Sequence, residues 1–351
     1  MEFKNILVRA TNWVGDAVMS LPALQQLRST HPKARISIVA RPWVGALYGR
    51  ESFCDELIPY EAERGWRDVG AKRRLAADLK NRQFDCALLL QNAFEAAMLV
   101  WWARIPERIG YDRDARGWLL TRAIAVPQAN AIPKHQRFYY LELLKRAGLI
   151  NGYDLEIPIQ LAGARAAGAQ GRLRLDELIG SRRVVGVSPG AAFGSAKRWL
   201  PERFAAAAVA VAKARQAVVV VMGSTAEADI CSLVQQQISA EGVECRSLAG
   251  STALAEFIEI TAACEIMLTN DSGAMHISSA LGVPTVAVFG ATDAAATGPT
   301  GALARVVQEH VDCSPCGLRE CPIDHRCMTR LSADRVAETA LEMVDAVKLP
   351  R

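Results

Sequence analysis

Residues 6–40 read ILVRATNWVGDAVMSLPALQQLRSTHPKARISIVA, and this stretch decides the fold class. Ile6-Leu7-Val8 is a short apolar run of strand length. A polar loop follows, then helical spacing from about Ala17 to Leu27, then a second apolar run, Ile36–Ala40. Both runs are apolar on both faces, as in a parallel sheet covered by helices on its two sides. The alternation continues outward. Asp85–Leu90 predicts a strand, followed by a helix through Trp102. The pattern weakens between 151 and 182, where Asp154–Gln160 reads as extended and Ala162–Ile179 as an Ala-rich helix. It restarts with strands at Arg183–Val187, Ala217–Val221, Glu265–Leu268 and Thr285–Phe289. Helices at Pro201–Ala214, Ala253–Ala263 and Met275–Leu281 separate them. The chain therefore reads as doubly wound α/β in two units, 1–165 and 166–331, with a cleft between domains as the expected ligand site. An amphipathic helix with Ser332 as its N-cap fills the last segment, 332–351, and is expected to pack back towards the N-terminal domain.

Composition sets the bounds. The chain has 351 residues, long enough for two cores, and 41 basic against 37 acidic residues leaves a net charge of 41 − 37 = +4. With 51% hydrophobic and 22% charged residues it is neither disordered nor strongly basic, and nucleic acid is not an expected partner. No apolar run approaches the roughly 20 residues that span a bilayer. Met1–Asn5 leads directly into the first strand with no signal-peptide pattern, which points to the cytosol. The dinucleotide-binding and Walker glycine motifs, G-x-S-x-G and H-E-x-x-H are all absent.

Three segments could carry chemistry. Thr11–Met19 (TNWVGDAVM) follows the first strand, where open α/β sheets bind ligands. Asp16 there is either a helix-start carboxylate or a general base at the cleft mouth. Thr269–His276 (TNDSGAMH) joins a strand to a helix, so Gly273 and the helix N-terminus could receive a phosphate, with His276 in the first turn. Val187–Trp199 contains a Gly-rich loop ending in Lys197 and Arg198, cations suited to a diphosphate but equally common in solvated loops.

Two further groups stand out. Arg64, Arg67, Lys72, Arg73, Arg74, Arg113, Arg116 and Arg122 form a solvated face or, if they converge, a surface for an acidic glycan or an anionic membrane. Trp101-Trp102 reads first as part of a helix packed on the sheet. Cys313, Cys316, Cys321 and Cys327, with His325 nearby, are spaced C-x2-C-x4-C-x5-C. A small structural zinc site and four free thiols both remain open, since the spacing fits neither the C2H2 finger nor the paired C-x-x-C ribbon.

Taken together, ILVRATNWVGDAVMSLPAL, RIGYDRDARGWLL, VVGVSPGAAFGSAKRW, LAGSTALAEF and TNDSGAMHISSALGVPTVAVFGATD resemble, in this order and over nearly the whole chain, the ADP-heptose:lipopolysaccharide heptosyltransferases of glycosyltransferase family 9. NWVGDAVMS is closer to the type II branch. The resemblance implies the GT-B architecture, two Rossmann-like domains facing a central cleft. It implies an inverting transfer of heptose from ADP-heptose to the lipopolysaccharide inner core, at the cytoplasmic face of the inner membrane, with no cofactor. Asp16 would be the general base. Lys197, Glu227, Asp271, Ser272, Gly273 and His276 would bind the donor. Asn12, Arg64, Arg67, Arg113 and Arg116 are acceptor-binding candidates on the anionic, Kdo-lipid A type acceptor. Ala191 and Ala192 depart from the hydroxyl residues that type I enzymes carry before the lysine. A type I acceptor, another sugar, and a nucleotide-sugar epimerase of the same architecture are the competing activities. A non-catalytic protein built on the cysteine loop is the reading outside catalysis.

Overall fold

The computed structural model describes residues 3–61 and 66–346. The chain divides into two compact units, 1–159 and 160–351. The first contains strands β1 (Asn5–Arg9), β2 (Arg35–Ala40), β3 (Glu56–Pro59), β4 (Cys86–Leu89), β5 (Glu107–Tyr111) and β6 (Arg122–Ile124). They lie in the order β3-β2-β1-β4-β5-β6. The second contains β7 (Val184–Ser188), β8 (Val218–Val221), β9 (Cys245–Ser247), β10 (Ile266–Asn270), β11 (Thr285–Phe289) and β12 (Ala304–Gln308), in the order β12-β11-β10-β7-β8-β9. Every pairing in the two sheets is parallel. Counted within its own unit, each sheet has the doubly wound order 3-2-1-4-5-6. The chain reverses its winding between β1 and β4 in one unit and between β7 and β10 in the other. Ligand crevices of open α/β sheets form at such points, outside the carboxyl ends of the strands.

The strands are apolar because both faces are covered. β4, β7, β8, β10 and β11 are buried along their whole length. Helix Pro201–Arg215 places Phe204, Ala207, Ala208 and Val211 on β7 and β8, in a core that also holds Val185, Val187, Val219 and Val221. At about 25 cal/mol per Å² of apolar surface removed from water, such contacts are the main favourable term in the fold.

Two expectations are corrected. The single helix expected from Ala17 to Leu27 is two, Val14–Met19 and Leu21–Thr30. Pro22 has no N–H to continue the ladder and sits in the first turn of the second helix, while the Ser20 hydroxyl donates to the Ala17 carbonyl at 2.8 Å. The unit boundary falls at 159/160 rather than 165/166. The helix Ala164–Ile179 belongs wholly to the second unit, where Arg174 pairs with Glu256 and Glu259 at 2.9 and 2.8 Å on helix Leu254–Ala262. The terminal helix is Ala333–Ala346. Its apolar stripe, Val336, Ala337, Ala340, Met343 and Val344, enters the core of its own unit beside Pro201–Arg215. Ser332 is its cap as expected, accepting from the Arg335 N–H at 3.3 Å.

Candidate active site

In the first unit β1 ends at Arg9, which is buried. Its guanidinium donates to the Ala10 carbonyl at 2.6 Å and to Asn12 Oδ1 at 2.9 Å, and lies over the Tyr60 ring. Burial lowers its pKa to about 10, so it remains a cation at neutral pH. The Asn12 carbonyl accepts from the exposed Trp43 indole at 3.0 Å. Arg9 and Trp43 thus hold the loop from both sides. The N-cap of helix Val14–Met19 is Trp13, which puts Asp16 in the first turn. The fully buried Tyr140 donates its hydroxyl to Asp16 Oδ1 at 3.1 Å. Burial, then the Asp16 carboxylate, push the Tyr140 phenol well above its usual pKa, so it stays protonated and donating. Tyr140 is 124 residues from Asp16 and no local pattern joins them.

The N-terminal cations separate. Arg64 lies outside the described residues, and so does the side chain of Arg67. Arg113 is exposed and within 3.6 Å of Asp114. Arg116, expected among the acceptor cations, is completely buried. It donates to the Gln91 carbonyl, to Asn92 Oδ1 at 3.0 Å and to the Tyr111 carbonyl at 3.1 Å, tying the ends of β4 and β5 together. A guanidinium with five donors can satisfy three orphan acceptors at once, and here that is its work. The exposed face also carries aromatic rings. Trp118 is 70% exposed, with Phe94 and Trp101 at ring-centroid distances of 6.2 and 6.4 Å. Trp101 is therefore not packed on the sheet; its neighbour Trp102 is half-buried.

In the second unit the three loops at the carboxyl ends of β7, β10 and β11 converge on one carboxylate. Asp271 is buried, and its Oδ2 takes the Lys197 ammonium at 2.6 Å and the Thr292 hydroxyl. Asn270 spans the same gap: its Oδ1 accepts from the Trp199 N–H at 2.9 Å and its Nδ2 donates to the Pro189 carbonyl at 2.7 Å. Ser272 caps helix Gly273–Ala280 in extended conformation, and its hydroxyl meets Thr269 Oγ1 at 3.3 Å. The first-turn N–H groups of that helix open beside Asp271, and His276 is buried in the same turn. Glu227 Oε2 accepts from the Ser224 N–H and hydroxyl at 2.9 and 2.7 Å. A Cβ on Gly190 would lie 2.0 Å from Glu227 Oε1, so only glycine lets this carboxylate reach the β7 loop. Lys197, Glu227, Asp271, Ser272, Gly273 and His276 thus belong to one loop cluster. Sequence reasoning missed Asn270, Thr292 and Tyr140. The position of Asn270 at the carboxyl end of β10, and of Thr292 in the loop that follows β11, is the signal that could have found the first two.

The four loop cysteines lie near one another, and Cys313, Cys321 and Cys316 all act electrostatically on the Cys327 thiol. Among the described residues no group of three or more His, Cys, Asp or Glu is arranged to hold an ion. Cys313 and Cys316 are exposed, Cys321 is half-buried and Cys327 is buried, all as free thiols. Cys327 also lies in the apolar core with Met328. A separate cavity of about 350 Å³, lined by Arg182, Arg183 and Arg215 among others, sits at the amino ends of β7 and β8. It is at the wrong end of the strands for this site.

The family model for glycosyltransferase family 9 (heptosyltransferase) matches residues 72–326. The chain belongs to that family. This glycosyltransferase is 31% identical over 306 residues to lipopolysaccharide heptosyltransferase 2 of Salmonella typhimurium, covering 86% of this chain and 87% of that one. To the Escherichia coli K12 protein of the same name it is 30% identical with the same coverage. Among solved structures, Escherichia coli ADP-heptose lps heptosyltransferase II superposes with a TM-score of 0.81 at 28% identity, covering 97% of this chain and 99% of that one. A family 9 glycosyltransferase from Veillonella parvula, at 21% identity and the same TM-score, shares the fold. No helix among the described residues of the family 9 chain is long and apolar enough to cross a membrane.

Proposed function

We propose that this glycosyltransferase transfers L-glycero-D-manno-heptose from ADP-heptose to the lipopolysaccharide inner core, placing the second heptose on heptosyl-Kdo2-lipid A with inversion. The observation that carries the reading is the likeness to type II heptosyltransferases along almost the full length of both chains. No comparable likeness supports an epimerase. In the proposed reaction the acceptor hydroxyl oxygen attacks the anomeric carbon as the bond to ADP breaks. The proton passes to Asp16 and the bonding electrons leave with ADP. A carboxylate is a modest base, but the departing diphosphate makes the proton more acidic as the reaction proceeds. Lys197 and the N–H groups at Gly273 meet the charge that develops on ADP, Ser272 and His276 add hydrogen bonds, and Glu227 takes the ribose hydroxyls. Asn12 and Arg113 remain the described acceptor candidates.

Tyr140 positions Asp16 in this scheme. Tyr140→Phe is expected to lower kcat about tenfold, the worth of one hydrogen bond to a charged group. It should also move the acid limb of the kcat–pH profile to higher pH, because a carboxylate that loses a donor is protonated more easily. An acid limb that stays in place would remove Tyr140 from this role.

The acceptor is lipid-borne, and we place the protein at the cytoplasmic face of the inner membrane. The exposed rings of Phe94, Trp101 and Trp118 support this, since aromatic side chains favour the headgroup region. ADP release measured with acceptors carrying zero, one or two heptoses tests the whole reading. Turnover only with the one-heptose acceptor is expected; turnover with the zero-heptose acceptor would shift the assignment to type I. Trp101→Ser with Trp118→Ser should slow turnover of vesicle-borne acceptor and spare a deacylated one. Equal effects on both would place these rings in glycan binding.

A further inference from the structure

Both cations of the Lys197 loop already have protein partners. Lys197 is already paired with Asp271 at 2.6 Å, in a pair whose side chains are largely buried. Arg198 turns its guanidinium to the Ala191 carbonyl at 3.3 Å. Ala191, Ala192 and Gly194 offer no side-chain donor at all. A third cation, Arg319, reaches the same loop from the cysteine-rich segment 311–325. Its guanidinium carbon lies 5.1 Å from the centre of the Phe193 ring, and the Lys197 ammonium lies 4.9 Å from that same centre. The two charges therefore sit within about 10 Å of each other, a separation that one diphosphate bridges with a hydrogen bond at each end. Attraction of each cation to the electron-rich ring offsets part of their mutual repulsion. Among the described residues Arg319 has no carboxylate within ion-pair distance, and it is exposed.

The segment that brings Arg319 is fastened to the donor loop at the backbone. The Ala196 N–H donates to the Arg319 carbonyl at 2.9 Å, and His325 Nε2 donates to the Ala196 carbonyl at 3.0 Å. A Cβ on Gly194 would stand 2.2 Å from the Arg319 carbonyl oxygen, so the approach needs glycine. The Gly317 N–H donates to the Ala291 carbonyl at 2.7 Å, next to Thr292. The cysteine-rich segment is thus anchored on two of the three loops that carry the Lys197–Asp271–Thr292 cluster, those after β7 and β11.

We infer that Arg319 is a further donor-binding residue, the cation that takes the ADP diphosphate while Lys197 remains shared with Asp271. A guanidinium fork suits two phosphate oxygens at once. The inference rests on the proposed donor site, and the test separates the two. Calorimetric titration of the full chain with ADP, AMP and adenosine is compared for wild type, Arg319→Ala, Arg319→Lys and Lys197→Met. The Ala substitution keeps the backbone carbonyl that holds Ala196. Arg319→Ala is expected to weaken ADP by roughly ten- to hundredfold, AMP less, and adenosine not at all, with Arg319→Lys recovering part of the loss. Wild-type ADP affinity in Arg319→Ala, with Lys197→Met impaired, would overturn the inference and leave the donor site standing. Equal losses for ADP and adenosine would make Arg319 a structural residue and overturn it too. Absence of ADP binding by the wild type would remove the donor site and the inference with it.

Discussion

Asp16→Asn is expected to lower turnover by about a hundredfold to ten-thousandfold, the usual contribution of a positioned general base, and to leave ADP affinity at the wild-type level. The amide is isosteric, keeps an oxygen for the Tyr140 hydroxyl, and cannot take a proton. Asp16 belongs to the first unit, whereas the proposed diphosphate contacts all come from the second. Loss of the base therefore appears in the chemical step and not in donor binding. Single-turnover ADP release with calorimetry for ADP checks both halves. A variant that loses ADP affinity would make Asp16 structural, and one with wild-type turnover would place the base elsewhere.

Lys197→Met is expected to lose donor affinity and stability together. The lysine faces Asp271 at 2.6 Å in a largely buried pair, and removing one partner strands a buried carboxylate. Such losses run to about 3–5 kcal/mol, against about 0–1 for an exposed pair. For a unit of this size that is a fall in Tm on the order of 10 °C. The double substitution Lys197→Met with Asp271→Asn removes both charges and should recover most of the Tm, while ADP binding stays lost. Thermal melts of the two single variants and the double, each with and without ADP, form the cycle. Recovery of ADP binding in the double variant would mean that the lysine acts only to neutralise Asp271. Unchanged ADP affinity in Lys197→Met would take it out of the site.

Much of the fold was legible because parallel strands under helices are plain apolar runs. β1, β2, β4, β7, β8, β10 and β11 all show this, and the loops after β1, β7 and β10 carry Asp16, Lys197 and Asp271. β3, β5, β6, β9 and β12 escaped notice. They are short or lie towards the sheet edges, and polar residues such as Glu56, Glu107, Arg122 and Arg246 interrupt their patterns. The site was legible only where a motif is contiguous. Tyr140 reaches Asp16 across 124 residues and Arg319 reaches Phe193 across the second unit, and neither meeting leaves a trace in local spacing. Arg116 misled for a related reason. An arginine in a polar loop reads as solvated, yet three main-chain and side-chain acceptors at the ends of β4 and β5 draw it inside. The cysteine spacing left a zinc site and free thiols both open, and it gave no sign that Cys327 packs in the apolar core.

The grip on Ala196 has a thermodynamic consequence. The segment Gly190–Lys197 is rich in small residues, and a free loop of that kind surrenders about 1–2 kcal/mol of conformational entropy for each residue it fixes on a ligand. Here the N–H and the carbonyl of Ala196 are both held before any nucleotide arrives. The ordering cost falls on folding instead of on binding, so more of the interaction energy with the nucleotide appears as affinity.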